Sequence, residues 1–366
     1  MVYQWYLFVL LLAVSVFAMM ADQIYTVNIN GNREKRYGWV PVLMIAIPLI
    51  YLAGTRPNIG DTGAYRSAFL SLNPSLGGLI DTIASDSKDI GFSIFALLLK
   101  WIIGKNDKVY FTIIATICLM CVICIYKKYS CNFAMSMFLF IASSDYIQWN
   151  YNGMRQFIAV SIAFAATDWL LEKKYFQYFL LIIFLSTIHA SVLIMLPISL
   201  IVQGKAWNFK TVLLIMCSLV AINYSDATIG LITEFMAETQ YSGEVGQFLE
   251  TEGTNILRVL VFCVPPLMAL LFRRWVDRAD SRLLNLSTNM AVASMGAYLV
   301  SSATSGIFVG RIPIYFSLYN YILLPWLVEN VFDEKSQKIV YIILIGCYLI
   351  FYYYQMNVAW DFSAFM

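Results

Sequence analysis

Twelve apolar stretches follow one another along this chain, over residues 3–21, 38–54, 90–104, 109–126, 132–148, 155–171, 176–202, 209–223, 255–272, 283–302, 311–332 and 338–356. That pattern leaves few folds open. A helix crossing a bilayer needs ~20 apolar residues, and hydrocarbon admits only structures that satisfy their own backbone N–H and C=O groups. Of the 366 residues, 60% are hydrophobic and 13% charged; a soluble domain is about 25% charged. The mean hydropathy is +0.72. A globular enzyme with a single anchor is excluded. The expectation is an all-α, polytopic integral membrane protein with about 11–13 transmembrane or re-entrant helices. It forms one domain over 1–366, with outer loops near 55–89 and 224–254. The first stretch has no Lys or Arg before it, so it reads as a retained span, not a cleaved secretory signal.

The net charge is +2, and no basic run or aromatic-basic platform marks a nucleic-acid surface. The 24 Tyr, 25 Phe and 9 Trp suit membrane interfaces and the stacking of sugars. Cys118, Cys121 and Cys124 recur at helical spacing in an apolar run without a nearby His or acid, which reads as packing and not as a metal site. No metal and no cofactor is expected.

Basic clusters at Arg33–Lys35–Arg36, Lys127–Lys128, Lys173–Lys174, Lys205–Lys210, Arg273–Arg274–Arg278–Arg282 and Lys335–Lys338 belong in the cytoplasm by the positive-inside rule. The segment 224–254 carries Asp226, Glu234, Glu238, Glu244, Glu250 and Glu252 without a Lys or Arg, and is placed outside. Its run from Ile229 to Glu238 reads as an interfacial amphipathic helix. Parity then fails if every stretch crosses once, because two stretches separate residue 54 from residue 127. The favoured scheme lets the short stretch 90–104 dip in and return, and turns 176–202 back on itself near His189. Arg56, Asp61, Arg155, His189 and Arg311 then all face outward. In the rival scheme every stretch crosses and Arg155 faces inward.

Those five residues are the ionisable groups that a membrane chain tolerates least, and such groups usually serve a function. Arg56, with Pro57, Gly60, Asp61, Thr62 and Tyr65, follows the second stretch; the turn offers an anion-binding arginine and a carboxylate, or an Arg–Asp pair closing a loop. Asp89 opens the next stretch as an ordinary helix cap. Asn152, Arg155 and Gln156 stand at a helix start, where dipole, backbone N–H groups and guanidinium favour an anion; a snorkelling arginine is the plainer reading. His189, the single histidine, is a natural proton acceptor near neutral pH, or a packed ring bonded to a carbonyl. Gly310, Arg311 and Tyr315 open a further helix after a Ser/Thr/Gly-rich segment. Three arginines suit a doubly charged phosphate group. Asp168 lies too far along its helix to join them.

The ordered set Arg56…Gly60-Asp61-Thr62…Tyr65, Asp89-x-Gly91-Phe92, Asn152-x-x-Arg155-Gln156-x-x-Ala159, His189-Ala190-Ser191 and Gly310-Arg311…Tyr315 resembles the EpsG family, the Wzy-like polymerases of bacterial surface polysaccharide. The resemblance spans nearly the whole chain. It implies a glycosyltransferase of the bacterial inner membrane. Such an enzyme joins oligosaccharide repeat units carried on undecaprenyl diphosphate into O-antigen, capsule or exopolysaccharide at the outer face. Arg56, Arg155 and Arg311 would hold the diphosphate without a metal. His189 or Asp61 would take the acceptor proton, and Gln156, Thr62, Tyr65, Asn152 and Tyr315 would line the substrate. The implied partners are lipid-linked donor and acceptor, membrane lipid, a chain-length regulator and a flippase.

Three other functions share these features. A lipid-linked oligosaccharide flippase needs a coupling-ion site, and no acidic pair stands at mid-membrane. An organic-anion transporter should show internal repeats, and none is evident. An O-antigen ligase shares the donor and differs in acceptor.

Overall fold

The computed structural model describes residues 9, 25–29, 32–84, 89–237, 243, 245–250 and 252–359. Apart from Val9, the first apolar stretch lies outside them, as do Glu238 and Glu244. The described chain is helical almost throughout, with one addition. Strands β1 (Tyr25–Ile29) and β2 (Asn32–Arg36) pair antiparallel, from Tyr25 opposite Arg36 to Ile29 opposite Asn32. Thr26, Val27 and Ile29 favour a strand, and Asn30-Gly31 is a tight-hairpin sequence. A search for long apolar runs passes over it.

Asp107–Tyr129, Arg282–Ser302 and Glu334–Asn357 are long and apolar enough to cross a membrane, and two bent helix pairs raise the total to five; six shorter apolar helices accompany them. The chain gathers into two compact units, Met1–Leu193 with Val328–Met366, and Ile194–Leu327.

The first unit begins with α1 (Trp39–Gly54), α2 (Thr62–Ser71), α3 (Leu76–Ala84), α4 (Ile90–Ile103) and α5 (Asp107–Tyr129). Helices α1 and α5 run antiparallel. Lys127 near the end of α5 lies 4.8 Å from the ring of Trp39, which starts α1. Gly54, which ends α1, faces Thr112 so closely that a Cβ there would meet Thr112 Oγ1 at 2.1 Å. Small residues permit such approach between membrane helices. Asn106 caps α5 by accepting the Val109 N–H, and Lys127 and Lys128 complement its carboxyl end.

Helix α6 (Phe133–Ala142) has every residue buried, as a helix apolar on all sides should. The stretch expected over 132–148 breaks at Ser144, whose φ is +66°, and continues as α7 (Asp145–Tyr151). The chain returns through α8 (Met154–Ala165) and α9 (Thr167–Leu171), then runs out along α10 (Tyr175–Ser186). Lys128 meets Asp168 at 2.5 Å, and the Tyr129 hydroxyl also donates to that carboxylate. This end of the unit therefore collects Trp39, Lys127, Lys128 and Asp168, while Gly54 and Thr112 mark the other.

Both ends of helix α4 lie at one end of this unit. It starts at Asp89, which pairs with Arg155 near the start of α8. After Ile103 the chain enters α5 at Asp107, which Arg66 of α2 holds at 2.6 Å. Lys100 of α4 donates to the Leu70 and Leu72 carbonyls, 2.6 Å each, as α2 ends, where helix carbonyls lack partners. So α4 leaves from and returns to the Gly54 end. The segment expected as a loop over 55–89 is built largely of α2 and α3.

In the second unit the turn over residues 202–208, after α11 (Met195–Ile201), is organised by Asn289. Its Nδ2 donates to the Val202 carbonyl at 2.9 Å and the Lys205 carbonyl at 3.1 Å, while its Oδ1 accepts the Trp207 N–H at 3.0 Å. A polar residue inside an apolar helix is stable when satisfied in this way. Helix α12 (Phe209–Asn223) bends by 99° into α13 (Ser225–Ala237), and α14 (Val245–Glu250) follows. The acidic segment is thus mainly helical. Helix α15 (Ile256–Leu271) bends by 71° into α16 (Arg273–Ala279). Both α12 and α15 pack on α17 (Arg282–Ser302). Glycine at 296 of α17 allows close approach of α12, since a Cβ there would lie 2.7 Å from the Leu214 side chain and 2.8 Å from Ser218 Oγ. Helices α18 (Ile314–Ser317) and α19 (Asn320–Val331) follow; α20 (Glu334–Tyr354) belongs to the first unit, where it packs on α6.

Candidate active site

The site is built at the Gly54 end of the first unit. Beyond α1 the chain turns through Pro57 and Gly60, whose φ is +53°. A Cβ at Gly60 would lie 3.3 Å from the Tyr151 carbonyl oxygen, so glycine answers both the backbone angle and the close approach. Asp61 occupies the N-cap position of α2, yet its side chain caps nothing. The carboxylate faces Asn152 instead, whose amide nitrogen donates to both oxygens at 3.1 and 3.2 Å. Asp61 therefore ties the first turn of the site to the start of α8.

Arg56 is 3% exposed. Its guanidinium donates to the Asn150 carbonyl and lies 3.0 Å from Met154 Sδ. The Phe111 ring lies 4.1 Å beneath it and Tyr151 5.1 Å away. Cation–π contacts and a carbonyl partner are what a desolvated guanidinium needs. Arg56 braces the junction of α1, α5 and α7 from inside.

Arg155 differs. Its side chain is 38% exposed, and it pairs at 2.8 Å with Asp89, which is 7% exposed. Its Nε also lies 3.4 Å from the Tyr65 hydroxyl, and Tyr65 packs edge-on to Phe92 at 6.1 Å. Asp89 is not the ordinary cap that its position suggests. It has φ +57° and makes no side-chain cap; the left-handed turn points its carboxylate across to α8. Aspartate tolerates that conformation better than most residues. The result is a half-exposed guanidinium in the first turn of α8, beside a phenol, with a buried counter-charge. Such a group can exchange a carboxylate for a phosphate oxygen.

His189 lies in the break that follows α10. The stretch expected over 176–202 is interrupted there, between Ser186 and a 3-10 turn at Ala190–Ile194. The half-buried ring places Nδ1 2.8 Å from Ser191 Oγ, and the His189 N–H donates to the Leu185 carbonyl at 3.0 Å. One residue pair links this break to Arg155. The Gly91 N–H, two residues beyond Asp89, donates to the Thr187 carbonyl at 2.8 Å.

Thr62 and Gln156 are buried. Arg311 and Tyr315 belong to the second unit. Arg311 does not open a long helix as the sequence suggests. It closes a 3-10 turn, Val309–Arg311, and is followed by the four-residue α18. Pro313 brings no N–H of its own to continue the turn, although Ile312 before it keeps helical angles, φ −69° and ψ −40°. Tyr315 is buried. Gly310 packs against Thr254, whose Oγ1 would lie 2.5 Å from a Cβ.

The EpsG family model matches residues 39–364. The chain belongs to the EpsG family. It is a multi-pass membrane protein connected with polysaccharide biosynthesis. The EpsG match begins at the first residue of α1 and takes in every residue of the candidate site. No curated protein and no solved structure matches the chain.

Three groups escaped the sequence reading of this EpsG protein. Arg66 pairs with Asp107 and also donates to Asn58; its partners lie 41 and 8 residues away, so only Asn58 is near in sequence. Asp89 was visible and mistaken for a cap. Arg258, 6% exposed, donates from Nε to the Tyr298 hydroxyl at 3.1 Å. A single arginine inside an apolar helix was its available signal.

Proposed function

We propose that this EpsG-family protein is a polysaccharide polymerase of the bacterial inner membrane. It joins oligosaccharide repeat units carried on undecaprenyl diphosphate at the outer face. The observation that carries this reading is Arg155: a half-exposed guanidinium at a helix N-terminus, oriented by Asp89 and Tyr65, within a family of polysaccharide-related membrane proteins. An anionic lipid diphosphate is the ligand such a group suits, because N–H donors and dipole both favour a phosphate oxygen.

In the reaction, an acceptor hydroxyl oxygen attacks the anomeric carbon of the donor sugar. The bond from that carbon to the diphosphate oxygen breaks, and undecaprenyl diphosphate leaves with the electron pair. Arg155 stabilises the charge growing on the departing oxygens, often the largest catalytic contribution. The hydroxyl proton passes to His189 or to Asp61. Arg56 holds the α1–α7 junction on which Asp61 and Asn152 are mounted. The outward orientation follows from the basic residues Lys127, Lys128, Lys173 and Lys174 on the opposite side.

Purified protein incubated with lipid-linked repeat units tests the reading. A ladder of products differing by one repeat unit is the expected result. Transfer of lipid between leaflets without a ladder makes the protein a flippase, and a single transfer to a lipid A core acceptor makes it a ligase.

A further inference from the structure

The turn Asp89–Ile90–Gly91 touches both chemical halves of the site. From one end, the Asp89 carboxylate holds Arg155 at 2.8 Å. From the other, the Gly91 N–H holds the Thr187 carbonyl at 2.8 Å, two residues before His189. Contact around Gly91 is tight: a Cβ there would meet Thr187 Oγ1 at 2.2 Å and the Thr187 carbonyl oxygen at 2.9 Å. The backbone of Asp89 is held at φ +57°, a region that side-chain-bearing residues adopt only when their surroundings fix them. Phe92, next along the chain, packs against Tyr65, the second residue beside Arg155.

We infer that Asp89–Gly91 is a positioning element that sets the spacing between the anion-binding Arg155 and the proton-accepting His189. Asp89 is a positioning residue acting through Arg155, and Gly91 acts through the Thr187 carbonyl. The inference rests on the polymerase reading for the roles of Arg155 and His189. The mechanical claim stands apart from it: a ligand that engages Arg155 draws on Asp89, the turn shifts, and the Thr187–His189 break shifts with it. Misplacing a reacting group by about 1 Å costs about 10²-fold in rate, so a device that fixes this spacing has a large effect.

His189 is the single histidine of the chain, which makes the claim readable without activity. Full-length protein carrying a histidine-free affinity tag and ¹⁵N-histidine gives one pair of imidazole signals. Titration with inorganic pyrophosphate, the probe for the anion site, is expected to move them in the wild type. It is expected to move them less than a third as far in Asp89→Asn and in Gly91→Ala, although the variants still bind pyrophosphate within about tenfold of wild type. In the ladder assay, Asp89→Asn should lower kcat about 10²-fold with donor KM changed less than threefold. Unmoved signals in saturated wild type overturn the inference, and so do shifts of wild-type size in both variants. A fall in kcat matched by an equal fall in folded protein makes Asp89 structural and also overturns it. A wild type that shows the coupled shift and builds no ladder removes the polymerase reading and leaves the coupling intact.

Discussion

Lys128, in the last turn of α5, and Asp168, in α9, meet at 2.5 Å, at the end of the first unit opposite Arg56 and Arg155. The pair fixes a polarity that hydropathy alone leaves open. Trp39, Lys127 and Lys128 share one end, and Asp61, Asn152, Asp89 and Arg155 share the other. We propose that the lysine end is cytoplasmic, by the positive-inside rule, and the arginine end extracytoplasmic.

Single-cysteine labelling checks this. In a background with the seven native cysteines replaced, a cysteine at position 61 or 152 should react with an impermeant maleimide from outside, and one at 128 or 174 from inside alone. Position 104 is the sharper test. Because α4 leaves from and returns to the arginine end, a cysteine there should also label from outside. Labelling of 104 from the cytoplasm would make α4 a crossing helix and break the polarity.

Arg56 and Arg155 should separate in the rate measured per folded protein. Removing Arg56 leaves the Asn150 carbonyl without this donor and strips the contact with Phe111. Losing a buried partner costs roughly 1–3 kcal/mol. Arg56→Ala should therefore lower the thermal midpoint and the yield of folded protein. Arg155→Ala also strands the buried Asp89 carboxylate, so its signature is the rate per folded protein: elongation should fall by about 10²–10³-fold, the cost of one oxyanion donor. Arg155→Lys should recover little, because a point charge does not reproduce a planar fork shared between Asp89 and phosphate. Equal rates per folded protein in the two alanine variants would refute the division of roles.

The link from Asp61 to Asn152 yields a reciprocal test. Both carboxylate oxygens face one amide nitrogen, and a hydrogen bond to a charged group contributes roughly 1.5–3 kcal/mol. Asp61→Ala and Asn152→Ala should each destabilise, and the double variant should lose clearly less than the sum, as neighbours in one contact do. Additive losses in a double-mutant cycle would mean that the two side chains do not act together.

Much of this arrangement is legible in the sequence, and the reason is specific. A charge in an apolar run is conspicuous, so Asp61, Arg155 and His189 stand out, and so does the short stretch bearing Lys100. What the sequence hides is who meets whom. Arg56 and Arg155 look alike in sequence, each at the end of an apolar run. Only the three-dimensional neighbours, Phe111 and Tyr151 for one and Asp89 and Tyr65 for the other, separate a buried brace from a half-exposed donor. Asp89 at a helix start has the signature of a cap, and its left-handed backbone carries no sequence signal strong enough to say otherwise. The Asn30-Gly31 pair carries a hairpin signal of only two residues, which leaves no mark on hydropathy.

His189 carries the last expectation, and Ser191 decides how it is met. Nδ1 lies 2.8 Å from Ser191 Oγ, so one of two tautomers holds. If the Ser191 hydroxyl donates to Nδ1, the proton sits on Nε2 and the ring can only donate there. If Nδ1–H donates to Ser191, Nε2 is bare and can take the acceptor's proton. The polymerase reading with His189 as base requires the second. His189→Ala should then lower turnover by roughly 10²–10⁴-fold with donor binding held. His189→Gln should be nearly as poor, since an amide can hydrogen-bond but not take the proton. Ser191→Ala should cost much less, roughly tenfold, because it removes orientation and leaves the base. Steady-state kinetics on the three variants separates the outcomes. If glutamine restores most of the rate, the ring only orients substrate, and Asp61 becomes the proton acceptor. If Ser191→Ala is as damaging as His189→Ala, the hydroxyl itself takes part in moving the proton.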